Sequence, residues 1–80
     1  MKVRIRLKRK ILKGLGKRIK KLRLSKGLTQ EILADKASID TSYIAGIEAG
    51  RRSPSIYCLY QIATALESSL KEIADFSIEE

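Results

Sequence analysis

Residues 27–55, GLTQEILADKASIDTSYIAGIEAGRRSPS, contain two short amphipathic segments separated by a three-residue break. Thr29 is a good N-cap for a helix over Gln30–Ala37, because its hydroxyl can accept a hydrogen bond from an amide in the first turn. Asp40 can cap a second helix over Thr41–Ala49. With so short a break between them, the two helices are predicted to cross steeply.

Further helices are predicted on both sides of this pair. Apolar residues at helical spacing indicate a helix that is firm over about residues 15–26. Pro54 favours the start of a fourth helix, because proline suits the first helical position. Ser69 and Glu72 form a capping box for a fifth short helix that ends near residue 76. The sequence therefore predicts an all-α domain of five short helices.

The charge is distributed unevenly along the chain. Residues 1–26 carry thirteen Lys and Arg and no acidic residue, whereas residues 27–80 carry four basic and nine acidic residues. Such a split suits a polyanionic partner, for which nucleic acid and an anionic membrane are the candidates. Val3, Ile5 and Leu7 alternate with cations, which predicts an extended basic arm over residues 1–10, followed by the domain proper over residues 11–80.

Composition argues against several functional classes. Cys58 is the single cysteine and the chain has no histidine, so no metal site, disulfide or cofactor is expected, and the cytoplasm is the expected location. No apolar run approaches the roughly 20 residues of a membrane span, so no spanning segment is expected, and a membrane is a less favoured partner than nucleic acid. No paired-carboxylate or phosphate-loop pattern occurs, so no catalytic residues and no enzymatic activity are expected.

The second helix of the central pair is the predicted reader of DNA. In such a pair, one helix can bridge the phosphate backbone while the other lies in the major groove. Thr41, Ser42 and Tyr43 form a short, hydroxyl-rich start to this helix, and Gly46 is expected to leave its groove-facing side free of bulk, so that it can approach the bases.

The order of these elements resembles the helix-turn-helix domain of phage repressors and Xre-type regulators over residues 15–76. The matching pieces are LTQEILADKA, the turn SID, the reader TSYIAGIEAG, the exit loop RRSPS, and IYCLYQIATAL followed by SLKEI. Within that family, SYIAGIEAGRRSPS is most similar to the controller proteins of restriction–modification systems. Ser38 stands where relatives commonly have a glycine in the turn, and Ala49 stands where they commonly have Arg or Asn at the end of the reader. These departures concern the target sequence rather than the fold.

The resemblance implies roles for individual residues. Arg52 is expected to bind a guanine edge, and an internal ion pair is expected between Arg23 and Glu48. The expected base contacts are Thr41, Ser42, Gly46 and Arg52. Together with the basic run, the resemblance gives a set of expected DNA-backbone contacts: Lys17, Arg18, Gln30, Tyr43, Arg51 and Ser53.

The C-terminal apolar residues exceed what one small core is expected to cover, which predicts a twofold dimer face. This face comprises Tyr60, Leu66, Leu70, Ile73, Phe76 and Ile78. The predicted function is a homodimeric transcription regulator that places two reader helices about 34–36 Å apart on a pseudo-palindromic operator. A restriction–modification controller, an antitoxin and a phage-type repressor fit this pattern. A basic membrane- or RNA-binding module would explain residues 1–26 but leaves the pattern of residues 27–55 without a purpose.

Overall fold

The computed structural model describes residues 2–78, in which five α-helices and no strands occur. The all-α prediction is confirmed. The helices are α1 (Lys2–Ser25), α2 (Gln30–Ala37), α3 (Thr41–Glu48), α4 (Ile56–Ala65) and α5 (Leu70–Ile73).

The N-terminal segment is helical, so the extended conformation predicted for residues 1–10 is wrong; Met1 lies outside the described residues. The alternation of Val3, Ile5 and Leu7 suggested a strand, but a strand needs a partner to pair with. Val3, Leu7 and Ile11 also recur every four residues, which is a helical spacing, and the intervening Lys and Arg residues are good helix formers. The segment therefore extends α1 by more than two turns.

Two glycines inside α1 allow neighbouring elements to approach its backbone closely. A β-carbon on Gly16 would lie under 3.0 Å from the carbonyl oxygens of Ile47 and Glu48 at the end of α3. A β-carbon on Gly14 would meet the ring of Phe76 at a similar distance. Glycine inside a helix costs roughly 0.5–1 kcal/mol relative to alanine. At Gly16, this cost is the condition for direct packing of the α1 backbone on the end of α3.

Short-range hydrogen bonds set both ends of α2, and the second of them begins the turn that leads into α3. The Thr29 hydroxyl accepts a bond from the Ile32 amide at 3.1 Å and so caps the start of α2. Ser38 adopts a left-handed conformation with φ 58°, and its amide donates to α2 carbonyls, which ends that helix. Asp40 occupies the N-cap position of α3 without a capping bond from its side chain.

The fourth helix begins later than predicted, and the fifth ends earlier. Ser55, rather than Pro54, stands at the boundary of α4, because its hydroxyl accepts a bond from the Cys58 amide at 3.0 Å. The capping box between Ser69 and Glu72 is present, but α5 ends at Ile73 after a single turn.

A continuous apolar core joins the five helices and includes two residues that were predicted to lie at the dimer face. Leu66 is 1% exposed and Ile73 is fully buried, so their assignment to an exposed interface is wrong. Glu67 adopts a left-handed conformation with φ 55° and reverses the chain after α4, which directs α5 back onto the core. The buried core consists of Leu15, Ile19, Leu33, Ala34, Ala37, Ile44, Ile47, Cys58, Ile62, Ala63, Leu66 and Ile73.

The close approach of α1 and α3 predicts that a side chain added at Gly16 lowers the stability of the fold. We expect Gly16→Ala to lower the free energy of unfolding by about 1–2 kcal/mol, because overpacking against a backbone carbonyl outweighs the gain in helix propensity. Urea denaturation followed by circular dichroism would measure this change.

Gly14→Ala is the matched control in the same helix. Its new methyl group overlaps the ring of Phe76, whereas the nearest backbone atom, the carbonyl oxygen of Ser77, lies at an ordinary contact distance of 3.5 Å. Because this side chain can shift, we expect Gly14→Ala to change stability much less than Gly16→Ala. A Gly16→Ala protein more stable than the wild type would contradict the close packing.

Candidate nucleic-acid interface

One side of α3 is presented to solvent and carries only small side chains. Ile44 is buried in the core, whereas Ser42 and Ala49 are exposed and Thr41 and Ala45 are half-buried. Thr41, Ala45 and Ala49 recur every four residues and therefore share one side of the helix. Ala45 and Ala49 belong to the predicted reader helix but were not among the predicted base contacts, although this spacing places them on the same side as Thr41. A helix surface this smooth can approach base edges closely.

Arg52 is anchored on α3 by contacts of both its backbone and its side chain. The carbonyl of Gly46 accepts hydrogen bonds from the amides of Arg51 and Arg52 at 2.8 Å and 3.2 Å. The guanidinium carbon of Arg52 lies 5.8 Å from the centre of the Tyr43 ring, within the range of a cation–π contact. The exit loop therefore presents a positioned cation beside the exposed side of α3.

Gly46 has a different role from the one predicted. It is buried, and a β-carbon on it would lie 2.6 Å from Cγ of Arg52, whose side chain covers it. The predicted bare surface at Gly46 is therefore wrong. Because Gly46 has no side chain, the space beside it is filled by Arg52 and is not open to a base.

A buried polar network joins α1, α2 and α3. Arg23 donates from Nε to Oε2 of Glu48 at 2.7 Å and from Nη2 to Oε1 at 3.0 Å. Its Nη1 donates to the carbonyl of Leu28 at 2.7 Å, and Nε2 of Gln30 donates to Oε1 of Glu48 at 3.1 Å. The side chains of Arg23 and Glu48 are only 8% and 3% exposed. The hydrogen bonds to Glu48 raise the pKa of Arg23 against the opposing effect of burial, so its guanidinium stays charged.

This network orients Gln30 at the start of α2. One amide proton of Gln30 points inward to Glu48, so a contact with a DNA phosphate would use the second proton of the same amide. The three helix segments that meet at Glu48 thereby hold the start of α2 at a fixed position relative to the end of α3.

The remaining predicted backbone contacts lie in two different places. Arg51 and Ser53 are exposed on the exit loop next to Arg52. Lys17 is exposed on α1, but Nε of Arg18 donates to the carbonyl of Glu72 at 2.8 Å and links α1 to α5. Since consecutive helix residues are rotated by about 100°, Arg18 points away from the α3-facing side of α1. The structure therefore does not bring Arg18 together with the reader surface.

Residues 2–78 give little support for a reactive cysteine, a metal site or a membrane-spanning helix. Burial raises the pKa of the Cys58 thiol, so this cysteine is protonated near neutral pH. The described residues contain no group of three or more His, Cys, Asp or Glu that could hold a metal ion. None of their helices combines the length and apolar character needed to cross a membrane.

Comparison with known proteins agrees with this geometry. A helix-turn-helix family model matches residues 19–73, which is more than half of the chain, and the protein belongs to this family. It is similar to the HTH-type transcriptional regulator y4dJ of Sinorhizobium fredii, with 38% identity over 61 residues that cover 76% of this chain and 79% of the relative.

Two solved structures of restriction–modification controller proteins are also similar. C.AhdI from Aeromonas hydrophila superposes with a TM-score of 0.77 at 40% identity, covering 78% of this chain and 94% of the controller. C.Esp1396I, as a tetramer in complex with its natural 35-base-pair operator, gives a TM-score of 0.71 at 42% identity and covers 79% and 93% of the respective chains. The present protein is a DNA-binding helix-turn-helix transcription regulator.

The buried network predicts a strong dependence of stability on Arg23. We expect Arg23→Met to lower the free energy of unfolding by about 3–5 kcal/mol, because it leaves the buried carboxylate of Glu48 without its counter-ion. Thermal unfolding followed by circular dichroism would measure the loss.

The double variant Arg23→Met/Glu48→Leu is the control. It replaces both charges with apolar groups and should recover most of the lost stability. A double variant as unstable as Arg23→Met alone would show that the unpaired charge is not the cause.

Proposed function

We propose that this protein regulates transcription as a homodimer that binds a pseudo-palindromic operator, with α3 of each copy in a major groove. The observation that carries this proposal is the smooth, exposed side of α3 flanked by the anchored side chain of Arg52. The two readers would contact successive major grooves on one side of the duplex, about 34–36 Å apart.

The side chains at this surface support a division between base and backbone contacts. Thr41 and Ser42 can donate to or accept from base edges, and the methyl group of Ala45 can contact a thymine methyl. Arg52 can bind a guanine bidentately, because its stem is held against Gly46. Phosphate oxygens would be bound by the side chains around these groups, namely Gln30, Tyr43, Arg51 and Ser53. Such contacts fix the register of the protein on the duplex.

An exposed apolar surface on α4 supports self-association. Ile56, Tyr57 and Tyr60 are 60%, 72% and 55% exposed, and they lie within one side of the helix. Tyrosine is enriched where proteins associate, since it buries a large apolar ring and keeps a polar end. We assign the twofold contact to this surface, so that of the predicted dimer face only Tyr60 is retained at its centre.

The proposed mechanism is occupancy of a promoter, which excludes or recruits polymerase and needs no catalytic group. Control of a restriction–modification system is the role that we favour, because C.AhdI and C.Esp1396I are controllers of this kind. The C.Esp1396I complex is a tetramer on its operator, so two dimers on adjacent sites are a further expectation for this protein. Its site of action would be the cytoplasm.

The anchoring of Arg52 predicts a specific effect on base preference. We expect Arg52→Ala to weaken operator binding by about 1–3 kcal/mol and to relax the preference at one base position of each half-site. Selection of bound duplexes from a random pool, followed by sequencing, would measure the preference and the spacing of half-sites.

Two further variants separate base reading from phosphate binding. Arg51→Ala removes a neighbouring charge and should weaken all duplexes equally. Gly46→Ala keeps the guanidinium but displaces its stem, so it should relax the same base position as Arg52→Ala. If Arg51→Ala and Arg52→Ala gave identical, sequence-independent losses, Arg52 would be a phosphate contact.

The α4 surface predicts the oligomeric state of a second set of variants. We expect Tyr60→Glu to produce monomers in analytical ultracentrifugation, because a charge cannot be buried unpaired in a twofold contact. Ile78→Glu is the matched control, since Ile78 is also exposed but lies in the C-terminal segment. Monomers from Ile78→Glu and dimers from Tyr60→Glu would move the interface to that segment.

A further inference from the structure

Helix α1 carries an ordered set of cations, most of which lie before residue 19, where the region matched by the family model begins. Arg6, Arg9, Lys13 and Lys20 are all exposed. Their spacings of three, four and seven residues align them along one side of the helix. These four residues are termed the basic stripe.

The basic stripe passes beside the exit loop. Gly50, which precedes Arg51, packs on the α1 backbone, where a β-carbon on it would lie 3.2 Å from the α-carbon of Lys13. Arg9 lies two turns before Gly16 and therefore on the α3-facing side of α1. Arg6 and Arg9 continue this side for about 6–10 Å beyond Lys13, at 1.5 Å per residue. The stripe thus extends the surface formed by α3 and the exit loop.

The concentration of like charge has an energetic cost in the free protein. Arg6 and Arg9, and Arg9 and Lys13, are spaced so that each pair faces the other on the helix surface, where like charges repel. Residues 1–26 contain no acidic side chain that could compensate for them. A polyanion bound along this side would relieve the repulsion, and the surface next to it is the one that we assign to DNA.

We propose that the basic stripe binds the sugar–phosphate backbone of duplex DNA outside the base pairs contacted by α3. This inference rests on the proposed function, because it places the duplex against α3 and the exit loop. The contacts are sequence-independent: each cation that neutralises a phosphate releases condensed counter-ions and strengthens binding to any duplex.

The opposite side of the same segment has a different character. Val3, Leu7 and Ile11 are exposed there at a spacing of four residues. A basic helix with an apolar side can also lie on an anionic membrane. The packing of Gly50, immediately before the exit loop, on the backbone of Lys13 favours DNA, and binding to vesicles is one outcome of the test.

The test compares two double variants of equal charge. Arg6→Gln/Arg9→Gln removes two cations of the basic stripe, whereas Arg4→Gln/Lys8→Gln removes two exposed cations from another side of the same segment. Both keep α1 full length and lower the net charge by two, so a general effect of charge is the same in each. Circular dichroism would verify that helix content is retained.

The probe is a duplex of about four helical turns that carries the sequence selected from the random pool, with a mixed-sequence duplex of the same length. We expect the plot of log affinity against log salt to become shallower by about 1.8 for Arg6→Gln/Arg9→Gln, since each lost contact contributes about 0.9. The slope should change by less than about 0.5 for Arg4→Gln/Lys8→Gln. The same difference is expected on the mixed-sequence duplex.

Two results would overturn the inference. Equal slopes for the two double variants would mean that charge acts only at long range. A selective loss of binding to phosphatidylglycerol vesicles, with DNA slopes unchanged, would assign the stripe to a membrane surface. If the wild-type protein did not distinguish the selected duplex from the mixed one, the proposed function would fail, while the slopes on the mixed duplex would still decide the role of the stripe.

Discussion

The arrangement of the proposed DNA-binding surface depends on one buried carboxylate. Glu48 lies at the end of α3, where Arg23 of α1 and Gln30 of α2 both donate hydrogen bonds to it. A buried ion pair of this kind adds little net stability, but an unpaired partner is costly, so alternative positions of the three helices are penalised. Beside it, Gly16 lets the α1 backbone approach the last carbonyls of α3. Charge and close packing together fix where α3 sits.

The side of α3 that remains exposed acquires its chemistry from the loop that follows. Its own side chains are small, which allows close approach but supplies no strong donor. Arg52 supplies a strong donor. The carbonyl of Gly46 accepts hydrogen bonds from the loop backbone, and the Arg52 side chain packs against Gly46, which has no side chain to exclude it. The reader surface is thus a composite of helix and loop, in which a glycine positions an arginine.

The long first helix connects the cationic N-terminal segment to the helix-turn-helix core, two parts of the chain that appear separate in the sequence. A cationic N-terminal segment and a helix-turn-helix core could be connected by a flexible arm. A continuous helix instead carries the cations past the exit loop in a fixed direction. A rigid extension loses less conformational entropy on binding than a flexible arm would, so ordered cations can contribute more of their attraction to affinity.

The sequence by itself determined the helical class, the extent of α2 and the capping box of α5, because these depend on local periodicity and on capping side chains. It also determined the start of α3, although the Asp40 side chain makes no capping bond there. It also placed Arg52 in the exit loop. Only the tertiary structure decided that Leu66 and Ile73 lie in the core, since the left-handed turn at Glu67 folds α5 back. The α3-facing side of the N-terminal helix was likewise decided by contacts between residues far apart in the chain, Gly16 with Ile47 and Glu48. The position of Arg52 over Gly46 was decided by how the exit loop folds back onto α3. Periodicity indicates that a residue has an apolar side or an open side, but the neighbour that covers it is set by how the helices pack.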